Sequence, residues 1–456
     1  MIKHALIYGV SIGGAKAIGF LMIPVFTSFL DPADYGRLDN LQILADLLGI
    51  IAAMGMADAL YRYGSGKDAK NVAANIYSMS LLITIVSMII LQGLAVNISY
   101  LLPDGITILQ VRLILATISI SGCILIPLSW LRMQDKAIKF FKVSMTRILI
   151  QAVLSLILLY AGFGVTGVMF AGFAASLYSA ISLGIYFIKS TGIRIDISKW
   201  KSFIIYGSPL IITGIAGFVL GSFDRWILAG TIGPAAMAMY ALAAKFGLLT
   251  SIAVQPFDMW WLPKRFSVLS ENNGEEKCAK IVGIGFSMAV FMAVGVASCA
   301  PILIKIMTPD AYYGAINYVP FLCALAALHS ITIMINHGCY NCEFTKYPMI
   351  IDSCSAITAF IGYMFLIPSL GAYGAIMATA IALSLRFIAM LYIGQKQTYI
   401  PYRLDKFAVI ALIGIIFIFL IWSFDHALYQ FAVGISGCIV IFISSIAIKL
   451  VPLPIK

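Results

Sequence analysis

Long apolar segments separated by short polar loops follow one another along the whole chain. Most are close to the length of about 20 residues that a helix needs to cross a bilayer. They are continuous rather than alternating, which excludes a transmembrane β-barrel. The pattern therefore predicts an all-α polytopic membrane protein with about 14 transmembrane helices. The predicted helices cover residues 5–30, 41–63, 73–101, 110–133, 143–162, 166–188, 202–230, 239–263, 278–307, 317–340, 349–368, 373–394, 407–424 and 429–450.

Composition supports this class. Of the 456 residues, 62% are hydrophobic and 11% are charged, whereas soluble proteins average about 45–50% and about 25%. The first apolar segment runs from residue 5 to about Leu30, too long for a signal peptide, so we expect a retained first helix. Loops are short, with none longer than about fifteen residues, so function must reside among the helices.

The basic residues orient the chain. If the N-terminus is cytoplasmic, 23 of the 30 basic residues, Arg147 among them, fall in cytoplasmic loops and flanks. The opposite side then holds Arg37, Arg112 and Lys305. We therefore expect both termini in the cytoplasm. The net charge of +11 is spread over short loops, which argues against a nucleic-acid partner.

Two internal matches indicate a repeat. "IYGVSIGGAKAIGFLMIP" at residues 7–24 is similar to "IYGSPLIITGIAGFVLGS" at 205–222, and "GVTGVMFAGFAASL" at 164–177 is similar to "GAYGAIMATAIALSL" at 371–385. The order and spacing predict two parallel six-helix lobes, residues 1–200 and 201–395, followed by two additional helices in residues 396–456. A substrate pathway would lie between such repeats.

Several motifs resemble those of one family. "FTSFLDPADYGRLDNLQ" at residues 26–42 resembles the turn after the first helix of Wzx-type polysaccharide (O-antigen) flippases, members of the multidrug/oligosaccharidyl-lipid/polysaccharide exporter superfamily. "DRWILAG", continued through "MAMYALAAKFG" at 237–247, is similar to the family's pattern across helices 7 and 8. "WLRMQDKAIKFFKVSMTR" and the segment beginning at Gly371 add to the likeness, which covers about residues 1–395.

The resemblance implies two lobes around a central cavity, located in the bacterial cytoplasmic (inner) membrane. It implies a flippase that moves undecaprenyl-pyrophosphate-linked oligosaccharide across that membrane by alternating access, for lipopolysaccharide O-antigen or capsule assembly. It also implies membrane lipids, a polysaccharide polymerase and a chain-length regulator as partners. Basic residues of the cavity would hold the pyrophosphate. No cofactor or metal is expected; the coupling ion, H⁺ or Na⁺, stays open.

Charges inside the predicted helices mark candidate sites, because each costs about 2.5–3.5 kcal/mol at the bilayer centre. Lys16 either grips phosphate or pairs with Asp46 or Asp224. Asp224 and Arg225 point about 100° apart on a helix, so each needs its own partner; Arg225 contacts substrate or braces the bundle. The substrate-binding candidates are Lys16, Arg225, Lys245, Asp224, Asp46 and Arg37.

Other polar residues favour structural roles. We expect Arg386 to reach the membrane interface by extending its side chain and Asp258 to lie in an aromatic interfacial belt. His329 and His337 could form a proton relay, although no neighbouring carboxylate is evident. The pair Cys339 and Cys342 is a weak zinc signal without a second pair.

Two other functions compete with the flippase. A multidrug exporter of the same superfamily would favour carboxylates in its cavity, and deep Lys16 and Lys245 argue against that. A membrane glycosyltransferase or polymerase would need catalytic groups in sizeable loops, which this chain lacks. No P-loop motif is present, so direct use of ATP is not expected, and we expect a transporter rather than an enzyme.

Overall fold

The computed structural model describes residues 2–64, 68–262, 264–340 and 346–451, without the side chains of residues 2–6, 8–10, 12 and 346. Throughout these ranges the ordered elements are helices and no strand occurs, so the predicted all-α class is confirmed. Twelve helical segments among the described residues are long and apolar enough to span a membrane, and two of them, Pro32–Tyr63 and Ile108–Met133, each consist of two consecutive helices. A bent pair, Asp310–Asn317 with Val319–Ile335, would be a thirteenth span, and Gly13–Phe29 is a shorter apolar helix at the position of the predicted first span.

The chain divides into two compact units, Met1–Ala235 and Ala236–Lys456. The first, unit 1, contains twelve helices among its described residues: α1 Ile2–Leu21, α2 Ile23–Phe29, α3 Pro32–Ala53, α4 Met56–Tyr63, α5 Ala69–Gly93, α6 Ala95–Ser99, α7 Ile108–Ser119, α8 Ser121–Met133, α9 Ala137–Tyr160, α10 Gly164–Thr191, α11 Ile197–Gly221 and α12 Phe223–Ile232.

Helix α13, Pro234–Trp261, has its first two residues in unit 1 and the rest in the second unit, unit 2. The other described helices of unit 2 are α14 Arg265–Leu269, α15 Gly274–Met307, α16 Val319–Ile335, α17 His337–Tyr340, α18 Lys346–Leu370, α19 Ala372–Gln397, α20 Leu404–Ser423 and α21 Ala427–Ala447. A 3₁₀ helix, Asp310–Asn317, precedes α16. Helix α15 packs against α16, α20 and α21, while α18 packs against α19. Phe286 of α15 stacks on Phe407 of α20, with ring centroids 4.5 Å apart.

Two close backbone approaches in unit 1 account for glycines of the sequence motifs. Gly36 of the "DPADYG" segment lies against the backbone carbonyl of Pro234, so no side chain fits there. Gly55 has a positive φ of 64° and lies in the break between α3 and α4. A Cβ on Gly55 would lie 2.6 Å from Cα of Gly207 in α11, so both glycines are needed where these helices touch.

The predicted helix at residues 202–230 is wrong in one respect: it is broken. α11 ends at Gly221 and α12 begins at Phe223, because Ser222, with φ of −148° and ψ of −20°, leaves the helical conformation. The sequence stays apolar across the break, so hydrophobic periodicity alone gives no signal for it. The break places Asp224 in the first turn of α12, where the partial positive charge of the helix N-terminus stabilises a carboxylate.

Candidate functional site

A cavity of about 260 Å³ lies in unit 1 between α1, α8, α9 and α10. Two cations, Lys16 and Arg147, line it together with the hydroxyls of Ser11, Ser144 and Ser179. The remaining wall is apolar. Among the side chains that line the cavity none is acidic, so its polar content consists of cations and hydroxyl groups.

Helix periodicity brings these residues to one wall. On α9 the lining residues Phe140, Ser144, Arg147 and Ile148 recur at spacings of three or four residues, which places them on one helix face. Arg147 lies ten residues after the start of α9 at Ala137, about 15 Å along the helix axis and so near the middle of a bilayer-spanning helix.

Small residues let α1 approach α9 at this point. A Cβ on Gly14 would lie 3.3 Å from the Cε of Met145, so the two helices are in close contact two residues before Lys16 and Arg147. Close approach at glycine is a common way for membrane helices to pack. The packing fixes the two cations on adjacent helices around the same space.

The electrostatics of the cavity favour an anion. Within the described side chains no carboxylate lies at ion-pair distance from Lys16 or Arg147, and Nε of Arg147 is buried without a hydrogen-bond partner. Placing uncompensated cations inside a membrane protein is costly. Guanidinium groups bind carboxylate and phosphate in a bidentate manner, and an ammonium group binds phosphate as a point charge. A phosphate-type anion therefore fits this cavity chemically.

The predicted position of Arg147 in a cytoplasmic flank is wrong. The prediction groups it with Lys136, Lys139 and Lys142, which precede it closely in the chain. The structure begins α9 at Ala137, so Arg147 lies inside the helix and not at its margin. One feature of the sequence does indicate an internal position: Arg147 lies more than one helical turn beyond those lysines, within an apolar segment.

Arg225 braces a joint between three helices. Its Nη1 donates to Oδ2 of Asp39 on α3 at 2.8 Å, and its Nη2 donates to the Ser222 hydroxyl at 3.0 Å and to the Gly221 carbonyl at 3.5 Å. The arginine thus forms hydrogen bonds at the C-terminal end of α11, at the start of α12 and with α3. A partner on another helix was expected for Arg225, and Asp39 is that partner.

Two other candidates of unit 1, Asp46 on α3 and Asp224 on α12, lie on helices that form this joint. Asp46 is exposed and accepts a hydrogen bond from Gln42 at 3.2 Å; Asp39, Gln42 and Asp46 follow one face of α3. Asp224 is buried, and its Oδ1 accepts from the backbone N–H of Arg225 at 2.8 Å. Neither carboxylate is an ion-pair partner of Lys16 in the described structure.

Arg37 contacts Asp34 and the loop before α7. Its Nη1 pairs with Oδ1 of Asp34 at 2.6 Å, and its Nε donates to the carbonyl of Asp104 at 3.1 Å. Gly105, with φ of 88°, leaves room for the guanidinium beside it. The structure therefore ties Arg37 to the loop before α7 and does not bring it to the cavity of Lys16.

In unit 2, the structure contradicts the expected interfacial position of Arg386. The residue is 9% exposed, and its Nε donates to Oδ1 of Asp352 at 2.7 Å. Its Nη1 also lies 3.2 Å from Nδ1 of His329. The side chain binds α18 and α16 instead of extending to the membrane surface, because a carboxylate on the neighbouring helix compensates its charge. His329 thus has a carboxylate nearby after all.

The remaining candidates of unit 2 are placed separately. Lys245 is half-buried in α13. Asp258 is half-buried near the end of the same helix, with Oδ1 buried and unpaired among the described residues. Cys339 donates its thiol to the carbonyl of Met390 at 3.4 Å, whereas Cys342 lies outside the described residues. No described group of three His, Cys, Asp or Glu side chains is arranged to hold a metal.

Unit 2 also contains an apolar cavity of about 350 Å³. It is lined by residues of α15, α16, α19 and α20, including Val290, Phe321, Leu328, Phe387 and Phe419. Its lining contains no charged side chain, so it offers a surface for hydrocarbon and not for ions.

Comparisons with known proteins agree on fold and family. Two solved structures share the fold. The lipid II flippase MurJ in an inward closed conformation has a TM-score of 0.73 and 16% identity, and the match covers 98% of this chain and 99% of that chain. An inward-facing multidrug resistance MATE family transporter of the MOP superfamily has a TM-score of 0.63 and 15% identity, and the match covers 84% of this chain and 94% of that chain. A curated relative, Lsg locus putative protein 1 of Haemophilus influenzae, is 25% identical over 280 residues, which are 59% of this chain and 67% of the relative.

The family model described as polysaccharide biosynthesis protein matches residues 1–270, more than half of the chain. The two solved structures that share the fold are those of a lipid II flippase and of a multidrug resistance transporter. With at least twelve apolar helices of spanning length, the chain is a multi-pass membrane protein that belongs to the polysaccharide biosynthesis protein family.

Proposed function

We propose that the protein moves undecaprenyl-pyrophosphate-linked oligosaccharide repeat units across the bacterial cytoplasmic membrane by alternating access, for assembly of O-antigen, capsule or a related surface polysaccharide. The observation that carries the proposal is the cavity of unit 1, where Lys16 and Arg147 meet beside three serine hydroxyls and no acid. Two cations match the charge and oxygen-rich surface of a pyrophosphate. The orientation, with both termini in the cytoplasm, rests on the distribution of basic residues.

The size of the cavity supports a headgroup site. A volume of about 260 Å³ suits a phosphate or pyrophosphate and is too small for an oligosaccharide of several sugars. In this proposal the cations hold the pyrophosphate, and the sugars occupy the wider space that alternating access opens. The apolar cavity of unit 2 supplies a surface of the kind that a polyprenyl chain requires.

The multidrug exporter is the competing function. Most organic cations would be repelled by a cavity that carries two positive charges and no carboxylate. A flippase has the opposite requirement, since its lipid-linked substrate is an anion. The same cavity therefore favours the flippase over an exporter of cationic drugs.

Complementation tests the proposal directly. The gene is expressed in a flippase-deficient strain that carries the matching polysaccharide genes, and both surface polysaccharide and lipid-linked units inside the cell are measured. We expect the wild type to restore the surface polymer, and Lys16→Glu and Arg147→Glu to abolish rescue at equal protein level. Lys142→Glu is the matched control, since Lys142 lies on α9 outside the cavity. Continued accumulation of lipid-linked units with the wild type would reject the proposal.

A further inference from the structure

Another cation that has no ion-pair partner among the described carboxylates lies in unit 2, on α14 between the spans α13 and α15. Arg265 is 9% exposed, and its Nη1 donates to Oδ1 of Asn336 at 2.7 Å. Its Nε is buried and has no hydrogen-bond partner among the described residues. No carboxylate of the described structure lies at ion-pair distance from this guanidinium, in contrast to Arg386 with Asp352.

Aromatic and polar side chains from several elements enclose Arg265. The guanidinium carbon lies 5.2 Å from the ring centroid of Tyr340, and Tyr402 is an electrostatic neighbour. The fully buried His337 links the group, with its ring 5.5 Å from that of Trp261 and 6.5 Å from that of Tyr402. Residues from α13, α14, α17 and the loop before α20 therefore meet around one charge.

Most of the buried polar atoms in this cluster that lack a hydrogen-bond partner among the described residues can donate; the exception is one of the two unpaired ring nitrogens of His337, which is an acceptor in the neutral imidazole. Nε1 of Trp261 and the hydroxyl of Tyr402 are buried and make no hydrogen bond to any described residue, as is also true of Nε of Arg265. Burial holds the pKa of the Arg265 guanidinium below its ordinary value, because removal from water disfavours the charged form. A buried cation surrounded by unused donors has the chemistry of an anion site, because an anion compensates the charge and accepts the hydrogen bonds together.

We propose that Arg265, Tyr402 and Trp261 bind a single phosphate-type oxyanion. The forked guanidinium favours an oxyanion with several acceptor oxygens over a spherical halide. Such a phosphate reaches the site either as the headgroup of a phospholipid or as free phosphate. Exposed Trp260 and Phe266 flank the cluster in sequence, and the ammonium group of Lys264 lies 5.1 Å from the Trp260 ring, an arrangement typical of a membrane interface.

The site is independent of the proposed substrate cavity. Its residues all belong to unit 2, and Lys16 and Arg147 belong to unit 1. Loss of phosphate binding at Arg265 would therefore leave the pyrophosphate proposal unaffected, and the reverse also holds.

The test uses the purified full-length protein in nanodiscs of neutral phosphatidylcholine. Its thermal midpoint is measured while inorganic phosphate is added at constant ionic strength. A second set of nanodiscs contains phosphatidylglycerol. Free phosphate as ligand gives a saturable rise of the midpoint in neutral nanodiscs, whereas a lipid headgroup gives the rise in phosphatidylglycerol nanodiscs before phosphate is added.

Three variants identify the residues. Arg265→Gln should abolish the rise in both kinds of nanodisc, and Lys264→Gln, its exposed neighbour, should retain it. Tyr402→Phe keeps the ring and removes one donor, so it should weaken phosphate binding about tenfold or more. If Arg265→Gln does not fold, the phosphate affinity of Tyr402→Phe tests the proposal instead. An absent rise in both kinds of nanodisc, or an equal rise in wild type and Tyr402→Phe, would overturn the proposal.

Discussion

Arg225 of α12 donates a hydrogen bond to Asp39 of α3 at 2.8 Å, although the two residues are 186 positions apart in the chain. The side chains are 16% and 7% exposed, so the pair is largely removed from solvent. Removing one partner of a buried pair leaves an uncompensated charge and costs about 3–5 kcal/mol. The pair thus stabilises the broken segment formed by α11 and α12 against α3.

The first prediction concerns this pair. Arg225→Met should lower the thermal midpoint of the purified protein strongly, and Asp39→Asn should do so as well. The double variant should be much less unstable than the sum of the two single variants, because neither charge is then left alone. Additive losses would show that the contact contributes nothing specific.

The second prediction concerns Asn75 of α5. Its Oδ1 accepts from the backbone N–H of Asp196 and from Nε1 of Trp200, both at 2.9 Å, and its Nδ2 donates to the Asp196 carbonyl at 3.0 Å. Asn75→Ala should cost about 2–4 kcal/mol, since three bonds of about 1 kcal/mol each are lost, and should speed proteolysis of the 192–196 loop.

Asn71 provides the control for Asn75. It lies one turn earlier on α5, is exposed and bonds only to Asp68 at 3.4 Å. Asn71→Ala should change the thermal midpoint little; equal losses for both variants would mean that the three bonds are not what holds the loop.

The third prediction compares two glycines of α3. Gly36→Ala places a methyl group against the carbonyl of Pro234, so the helices must separate, at a cost of about 1–3 kcal/mol or more. Gly49 has no atom within 4 Å of a built Cβ. Gly49→Ala should be neutral or stabilise by up to about 1 kcal/mol, since alanine favours the helix. Thermal unfolding measures both, and a tolerated Gly36→Ala would contradict the close approach.

The fourth prediction concerns Arg386 and Asp352. Asp352→Asn leaves the buried guanidinium with neutral partners only, so it should destabilise the protein by about 3 kcal/mol or more. Adding Arg386→Gln to Asp352→Asn should recover most of the lost stability, because no buried charge then remains. A double variant that is less stable than Asp352→Asn would contradict the ion-pair account.

The sequence alone predicted those properties that depend on residues close together in the chain. Continuous apolar segments predicted the helical membrane class, and the depth of Lys16 within its segment marked it as a candidate. Periodicity could not locate the break at Ser222, where hydropathy does not change. It also could not pair Arg225 with Asp39 or Arg386 with Asp352, because these partners lie on other helices.

Arg147 shows the other limit of the sequence. Local composition grouped it with a basic flank, and only the packing of α9 against α1 places it in a cavity with Lys16. The partner of a buried charge is determined by tertiary packing, so a single sequence can mark the charge without identifying what it faces.

The central claim is that Lys16 and Arg147 hold the pyrophosphate of a lipid-linked substrate. The most direct test is the dissociation constant of undecaprenyl pyrophosphate for the purified protein in neutral nanodiscs, measured for wild type, Lys16→Met/Arg147→Met and the control Lys142→Met. The double variant should bind at least about tenfold more weakly at an unchanged thermal midpoint, since charged hydrogen bonds are lost, and Lys142→Met should bind like wild type. Equal affinity of the double variant and wild type would contradict the account.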